Sequence, residues 1–543
     1  MLPTKNKTCL ALALALVATS CATGPDGRPV GFQKTVKDTF ASDDPCANNA
    51  RNIGIVGGAV VGVLLARAVG KGPGLMVGAG VGALLGGLIG ADMDRRRCEL
   101  TQVAKAHHLD IVMTDIAFAP AAVESSSSGL ATGAARKPEP VGMSLSIVDH
   151  GEQFAVGSSV PSPDAVKAFG AVADRYLVPL STTDSTSLQT AAVRNKQMRI
   201  LLVGHTDDTG ASAQNAQLSE ERAQAVARIF AQHGFNTEQL FYQGAGEVFP
   251  MAANDTEAGR ARNRRVEIVD LSDDAAFSTF LASRRPDVAH YRAAPEIKPR
   301  AELVAQAGPA PLKTPTPNQR GDRTSTKAAN VALAPSPAGV TKTAAPPAAT
   351  STASLNLDLG GHPAQGPFRA ADIGKPARAN LWGLISPAYA SQESPVRSCA
   401  TDRPRISRGV KSLGTGEVLK TSDYLPGTAN TSWAGKANGH LVGLTGVSVL
   451  RDGAQPANSP QFLIWKNFVE GSGARSDFKT TADVNAYEGD KALLYRVFLS
   501  HGPVRCVDLV IPRGAAHTAP TSSLIYEHNS ALYQADFSPA IVR

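Results

Sequence analysis

An acidic and a basic side chain stand fifteen residues apart in the part of the chain richest in chemically useful residues. Asp207 lies within Gly204-His205-Thr206-Asp207-Asp208-Thr209-Gly210, and Arg222 follows it after a polar stretch. An aspartate accepts hydrogen bonds from an ammonium group, and an arginine fork binds a carboxylate through two parallel hydrogen bonds. The pair therefore suits a ligand that carries both groups on one carbon atom. The alternative is that Asp207 and Arg222 pair with each other, which contributes about 0–1 kcal/mol at an exposed position.

The patterns around these two residues predict the elements that hold them. Residues 198–203 form an apolar run that predicts a buried strand, so Asp207 is expected in the loop that follows it. Apolar residues at helical spacing after Ser219 predict a helix with Arg222 in its first turn.

Further elements complete an alternating order. Strand-like runs occur at 143–148, 240–242 and 265–271, and Ser162-Pro163 has the form of a capped helix start. Alternating strands and helices that end in adjacent strands predict an α+β sandwich with its helices on one face of the sheet.

The chain resembles the OmpA-like peptidoglycan-binding domain in a series of residues that occur in the same order. They are residues 204–210, then Asn215, Leu218-Ser219 and Arg222-Ala223, and finally Asn263-Arg264-Arg265-Val266-Glu267-Ile268. The resemblance places that domain at 141–274 and implies non-covalent binding of the diaminopimelate of the cell-wall stem peptide. It implies that Asp207 holds the ligand's amino group and that Arg222 holds its carboxylate. The other residues that the resemblance assigns to the site are Thr206, Asn215 and Leu218 in the pocket wall and Arg264 as a further anion contact. The alternative for Arg264 is a solvated position at the start of a strand.

The start of the chain has the order of a lipoprotein signal. Lys5 and Lys7 precede an apolar run at 10–17 that is too short to span a bilayer. The run leads into Ala18-Thr19-Ser20-Cys21, which resembles a bacterial lipobox and implies a signal peptide at 1–20 and acylation of Cys21. Ala22, and not an aspartate, follows Cys21. By the sorting rule of enterobacterial lipoproteins, the resemblance therefore implies a lipid anchor in the outer membrane, facing the periplasm. The alternative is ordinary secretion with Cys21 as a free thiol.

Small residues recur at every fourth position between Cys46 and Cys98. The two series are Gly54, Gly58, Gly62, Ala66 and Gly70, and then Gly74, Gly78, Gly82, Gly86 and Gly90. This spacing places small residues on one face of each helix, so that two helices can approach closely. It predicts a helical glycine-zipper hairpin at 46–98, either associated with a membrane or packed in a soluble or oligomeric form. Lipobox, hairpin and binding domain in this order resemble OmpA-family lipoproteins over residues 1 to about 274.

Four cysteines remain if Cys9 leaves with the signal peptide and Cys21 is acylated: Cys46, Cys98, Cys399 and Cys506. An even number in an oxidising compartment predicts two disulfides, for which three connectivities are open. Position favours Cys46–Cys98 and Cys399–Cys506, because each pair brackets one distinct segment. No two of the four have the close spacing typical of a zinc site, so no metal is expected.

The second half of the chain divides into two regions. Residues 285–395 are rich in Ala, Pro, Ser and Thr, a composition that buries too little apolar surface to fold, and they are predicted to be a disordered linker. Residues 396–543 contain strand-like runs between Gly, Pro, Asn and Asp clusters, which predicts an all-β domain. The chain is therefore expected to be multidomain.

Charge and motif content narrow the function. The formal net charge of +7 comes without a basic helix carrying aromatic residues, so nucleic-acid binding is not expected. Gly-x-Ser-x-Gly and His-Glu-x-x-His do not occur, and no cofactor is expected. The sequence favours a non-enzymatic lipoprotein that binds peptidoglycan and presents 396–543 to an envelope or secretion-machine partner. The alternative is a wall-targeted enzyme with its catalytic domain at 396–543.

Overall fold

The computed structural model covers the 543-residue chain. It describes residues 92–118, 139–177, 192–300, 302, 356–363, 367–375, 396–419, 424–471, 473–513 and 522–542. The predicted signal peptide, Cys21 and most of the predicted hairpin at 46–98 lie outside the described residues. The last part of the hairpin segment, 92–98, is helical.

One mixed sheet organises the domain that carries the Asp207 segment. Its first five strands are β1 Asp110–Phe118, β2 Glu139–Val148, β3 Arg199–His205, β4 Leu240–Gly246 and β5 Arg265–Leu271. They lie in the order β1-β2-β5-β3-β4. β3 and β4 are parallel, and the other neighbouring pairs are antiparallel. The domain thus extends beyond 141–274 at its amino-terminal side, because β1 pairs with β2.

Helices cover both faces of this sheet. They are α1 at 92–106, α2 Pro163–Ala173, α3 at 192–197, α4 Ser212–Gln232, α5 Glu257–Asn263 and α6 Asp274–Ser283. Side chains of α1, α2 and α4 share a core with Ile200 and Leu202 of β3. Phe277 of α6 shares a second core with Leu201 of the same strand. The expectation of helices on one face does not hold for α6, since β3 is apolar on both faces and both must be covered.

Helix α4 begins at Ser212, seven residues before the predicted start. Its N-cap residue, Ala211, makes no side-chain cap hydrogen bond, so the sequence carries no capping signal there. Ser219, the predicted start, is buried inside the helix, where its hydroxyl accepts a hydrogen bond from Gly246 N at 2.9 Å. Arg222 therefore lies about three turns into the helix and not in its first turn.

The same helix packs so closely on β3 and β4 that two strand positions admit only glycine. A Cβ at Gly204 would lie 2.0 Å from the carbonyl oxygen of Ser219, and one at Gly244 would lie 2.3 Å from that of Ala216. Contacts this short force backbone to move. The two glycines thus fix the spacing between α4 and the loop that carries Asp207.

The C-terminal region contains a β-sandwich. Its strands are β6 His362–Pro363, β8 Thr431–Ala437, β9 His440–Val447, β10 Gln461–Trp465, β11 Phe478–Thr481, β12 Asp483–Glu488, β13 Ala492–Phe498, β14 Val504–Pro512, β15 Ser522–His528, β16 Ala531–Phe537 and β17 Ala540–Val542. One sheet has the order β11-β10-β9-β8-β17 and the other β12-β13-β14-β15-β16-β6. Trp433 and Phe462 of the first sheet share one core with Tyr495 and Leu509 of the second. The predicted all-β character is confirmed.

Two segments join the sandwich to the sheet that contains β3, and we name them the connector (residues 285–300) and the arm (residues 398–413). The arm contains β7 Lys411–Ser412, which pairs antiparallel with β4 and adds a sixth strand to that sheet. Part of the segment predicted as a linker also belongs to the domains, because Leu357 and Leu359 lie in the sandwich core. They were missed in the sequence because the average composition of 285–395 is dominated by Ala, Pro, Ser and Thr.

A disulfide links the arm to the sandwich. Cys399 is bonded to Cys506 of β14 across 107 residues, which is the pairing expected from the sequence. Cys98 is also disulfide-bonded. Cys46 lies outside the described residues, so the pair Cys46–Cys98 stays a prediction.

Candidate functional site

Asp207 lies in the loop after β3, as the sequence predicts, and is held in one orientation by hydrogen bonds. Its carboxylate accepts from the backbone N–H of Thr209 at 2.9 Å, from the hydroxyl of the same residue and from Arg264 Nη1 at 2.8 Å. Burial acts to raise the pKa of Asp207, but the hydrogen bonds from Thr209 and Arg264 outweigh burial and hold the pKa below its ordinary value. The site therefore keeps a negative charge at neutral pH.

Arg222 projects from α4 towards the loop at 154–160. Its Nε donates to the carbonyl oxygen of Ser158 at 2.9 Å, and Nη2 donates to that of Ala155 at 3.3 Å. The guanidinium carbon lies 4.9 Å from the centre of the Phe154 ring, and Nη1 lies 3.7 Å from Asp149. A guanidinium group has five N–H donors, and these two hydrogen bonds use two of them. These two hydrogen bonds thus leave three N–H groups of the largely buried Arg222 side chain for other contacts.

The alternative in which Asp207 and Arg222 neutralise each other is not the arrangement found. Asp207 pairs with Arg264, and Arg222 approaches Asp149. Burial lowers the pKa of Arg222, while the charge of Asp149 and, less strongly, that of Asp207 act to raise it, so Arg222 lies within electrostatic range of Asp207. The two groups therefore lie near each other, each is held by its own partners, and both are largely buried.

Asn215 ties the loop to the first turn of α4. Its Nδ2 donates to the carbonyl oxygen of Thr209 at 2.9 Å and to Glu247 Oε2 at 3.1 Å. Leu218, half-buried, follows one turn later, and Arg222 follows two turns after Asn215, about 10 Å along the helix axis. Thr206 is buried, and its N–H donates to Gly246 O at 2.9 Å. Thr206 therefore shapes the loop through its backbone.

Arg264 is placed by the fully buried residue before it. Asn263 Oδ1 accepts from Met251 N at 2.9 Å, and its Nδ2 donates to Asn254 Oδ1 at 2.9 Å. Arg264 itself bridges Asp207 and Glu257, with an Nη2–Oε1 distance of 3.0 Å to the latter. Its side chain is 30% exposed, so the guanidinium remains open to an incoming anion. The contact with Asp207 distinguishes this position from a merely solvated one.

His205 lies beneath the loop and is buried. Its Nε2 is 3.0 Å from Glu267 Oε2. Burial, together with the charge of Arg265, lowers the pKa of His205 to about 3, so the ring is neutral at physiological pH. A buried, neutral ring that contacts Glu267 has a structural role beneath the loop.

The sequence did not reveal two further ion pairs at this loop. Asp208 accepts two hydrogen bonds from Arg292 of the connector, both 2.9 Å long. Glu247, which is buried, pairs with Arg403 of the arm at 2.7 Å. These partners are 84 and 156 residues apart in the chain. No periodicity or motif marks either arginine, so only the folded arrangement could show them.

The described residues contain no group of His, Cys, Asp and Glu side chains suited to a metal ion. Within the same residues, every helix is too short or too polar to cross a membrane. A cavity of about 330 Å³ lies between the two domains, with Arg284 and Gln243 on one side and Leu450 and Gln455 on the other.

Comparison with known proteins agrees with the fold. The OmpA family model matches residues 178–264, and a glycine zipper model matches residues 53–97. The chain is 36% identical over 121 residues to the outer-membrane lipoprotein YfiB of Pseudomonas aeruginosa, covering 22% of this chain and 67% of YfiB. The chain therefore belongs to the OmpA family.

Two further relatives match shorter stretches. The probable lipoprotein YiaD of Escherichia coli is 34% identical over 92 residues, covering 17% of this chain and 42% of YiaD. The peptidoglycan-binding protein ArfA of Mycobacterium tuberculosis is 44% identical over 71 residues, covering 13% of this chain and 22% of ArfA. The chain spans less than half the length of these two relatives.

Proposed function

We propose that this protein is a non-enzymatic envelope component that binds peptidoglycan through the diaminopimelate of the stem peptide. The observation that carries the proposal is an ionised Asp207 near an Arg222 that retains unused donors. Asp207 accepts from the ligand's ammonium group, and Arg222 binds the carboxylate on the same carbon. Asn215 and Leu218 line the site, and Arg264 adds positive charge beside the ligand. Membership of the OmpA family and the similarity to ArfA, a peptidoglycan-binding protein, support peptidoglycan as the ligand.

We further propose that the protein is anchored in the outer membrane through acylated Cys21 and faces the periplasm, where the wall is. Two relatives, YfiB and YiaD, are described as a lipoprotein and a probable lipoprotein. In this arrangement the acyl chains anchor the protein in the outer membrane, and the OmpA-like domain binds the wall. The sandwich is then free to bind a partner in an envelope or secretion machine.

The binding energy of one site is set by charge-assisted contacts. Removing one partner of such a contact costs about 2–5 kcal/mol when the pair is desolvated. A sacculus presents many stem peptides to a membrane-tethered protein, so weak single sites still hold the wall by avidity.

The experiment compares Asp207→Ala and Arg222→Ala with the wild-type chain in co-sedimentation with purified sacculi. Both variants should lose most of the sedimented fraction. Arg222→Lys is included because Arg222 also donates to the loop carbonyl oxygens, so that Arg222→Ala could disturb the fold. The lysine variant keeps the positive charge but lacks the planar guanidinium group, and it should stay folded and bind sacculi only weakly. Arg369→Ala is the matched control, since this arginine makes an exposed ion pair with Asp536 on the sandwich. Unchanged sedimentation of both alanine variants would overturn the proposal.

A further inference from the structure

Three carboxylates surround the loop at 207–210, and each has one arginine partner. Asp207 pairs with Arg264 at 2.8 Å. Asp208 pairs with Arg292 at 2.9 Å, and Glu247 pairs with Arg403 at 2.7 Å. Of the three arginines, only Arg264 belongs to the part of the chain that the family model matches. The charges of Asp208 and Glu247 are therefore balanced by arginines that come from elsewhere in the chain.

Hydrogen bonds from the arm also fix the conformation of the loop. Arg403 Nη2 donates to the carbonyl oxygen of Asp208, and Nη1 lies 3.5 Å from that of Gly210. Three residues later, Ile406 N donates to the hydroxyl of Ser212 at the start of α4, at 2.7 Å. The arm thus contacts both elements that present Asp207 and Arg222.

We propose that Arg292 and Arg403 are positioning residues of the peptidoglycan site, which they complete by neutralising Asp208 and Glu247. The inference rests on the proposed function. A stem peptide carries more carboxylates than amines. Without Arg292 and Arg403, the site would set three carboxylates against only Arg264 and Arg222, and an anionic peptide would approach it less readily. Arg292 and Arg403 act on affinity through the charge of the loop and through its shape, without touching the ligand.

Among the three carboxylates, Glu247 is the one whose protonation should respond most to the loss of Arg403. Burial raises the pKa of Glu247 even with Arg403 beside it, and the other charges that act on it are Arg405 and Asp208. Its second oxygen, Oε1, is buried without a hydrogen-bond partner among the described residues. Without Arg403 the carboxylate loses its main counter-charge, and protonation then becomes easier.

The test measures binding of a soluble stem peptide containing diaminopimelate to the full chain by calorimetry at pH 7.5. Arg403→Ala and Arg292→Ala should each weaken binding by about tenfold. The double variant Arg403→Ala/Glu247→Gln should return to within about threefold of the wild type, because the amide carries no charge. Rescue of this kind separates charge balance from simple unfolding, which a second substitution would not repair.

Acidification gives a second readout. Between pH 7.5 and 5.5, Arg403→Ala should regain affinity as Glu247 becomes protonated, while the wild type should change by less than about threefold. Arg369→Ala serves as the surface control at each pH. If the wild type binds and Arg403→Ala binds equally well or more tightly, the arm does not complete the site and the inference is wrong. If the wild type itself does not bind, it is the proposed function that fails.

Discussion

Replacing Cys399 and Cys506 together by serine should lower the free energy of unfolding of the sandwich substantially. The disulfide closes a loop of 107 residues. On the chain-entropy model, a loop of that length contributes about 4–5 kcal/mol, because the cross-link restricts the unfolded chain. Both sulfur atoms lie in a small apolar cluster with Ile525, so buried serine hydroxyls add to the cost.

Binding of peptidoglycan should survive this change. The arm makes other contacts with the sandwich that do not depend on the disulfide. Asp402 accepts hydrogen bonds from Arg496 at 2.8 Å and from the hydroxyl of Tyr487 at 2.6 Å. β7 also remains paired with β4. We therefore expect Arg403 to stay in place in the folded double variant.

The assay is urea unfolding, monitored by the fluorescence of the tryptophans. All three tryptophans lie in the last third of the chain, and Trp433 is fully buried in the sandwich core, so the signal reports on this domain. The wild type is measured with and without reductant beside the double variant, which reductant should not change further. A difference of less than about 1 kcal/mol between the oxidised wild type and the double variant would refute the reasoning from loop length.

Three further changes probe the rest of the molecule. Gly204→Ala should destabilise the OmpA-like domain by about 3 kcal/mol, because a Cβ would meet the carbonyl oxygen of Ser219; thermal denaturation measures it, and a shift below about 1 kcal/mol would contradict the close packing. Sacculus binding should persist on acidification from pH 7.5 to about 4.5, because the pKa of Asp207 is held below its ordinary value and the carboxylate stays ionised over this range; a fall centred near pH 6 would instead implicate a histidine. Cys21→Ser should abolish fatty-acid labelling and release the protein from the membrane fraction, and label that persists would exclude acylation at this residue.

The sequence was sufficient for features that depend on local pattern. Alternation and apolar runs predicted β3, and the loop after it contains Asp207 as expected. Helix α6 was equally readable, since Asp273 caps it by accepting from Ala276 N and two phenylalanines follow at helical spacing. It was missed because the predicted domain ended at residue 274.

Other features depended on tertiary structure and left no local trace. The start of α4 at Ser212 follows an alanine N-cap, which carries no capping signal. The pairing of β7 with β4 joins residues about 170 positions apart, and a two-residue strand has no periodicity to detect. Arg292 and Arg403 lie in stretches whose composition indicates a linker or a domain edge, so their place beside the site became visible only in the fold.

The most direct measurement compares two soluble stem peptides that differ only at the third residue, one with diaminopimelate and one with lysine. Both present an ammonium group to Asp207, but lysine lacks the carboxylate that Arg222 is proposed to bind. The wild-type chain should bind the diaminopimelate peptide at least about tenfold more tightly, the effect of losing one charge-assisted contact. In Arg222→Ala this preference should disappear. Equal affinity of the wild type for the two peptides would contradict the proposed recognition of diaminopimelate.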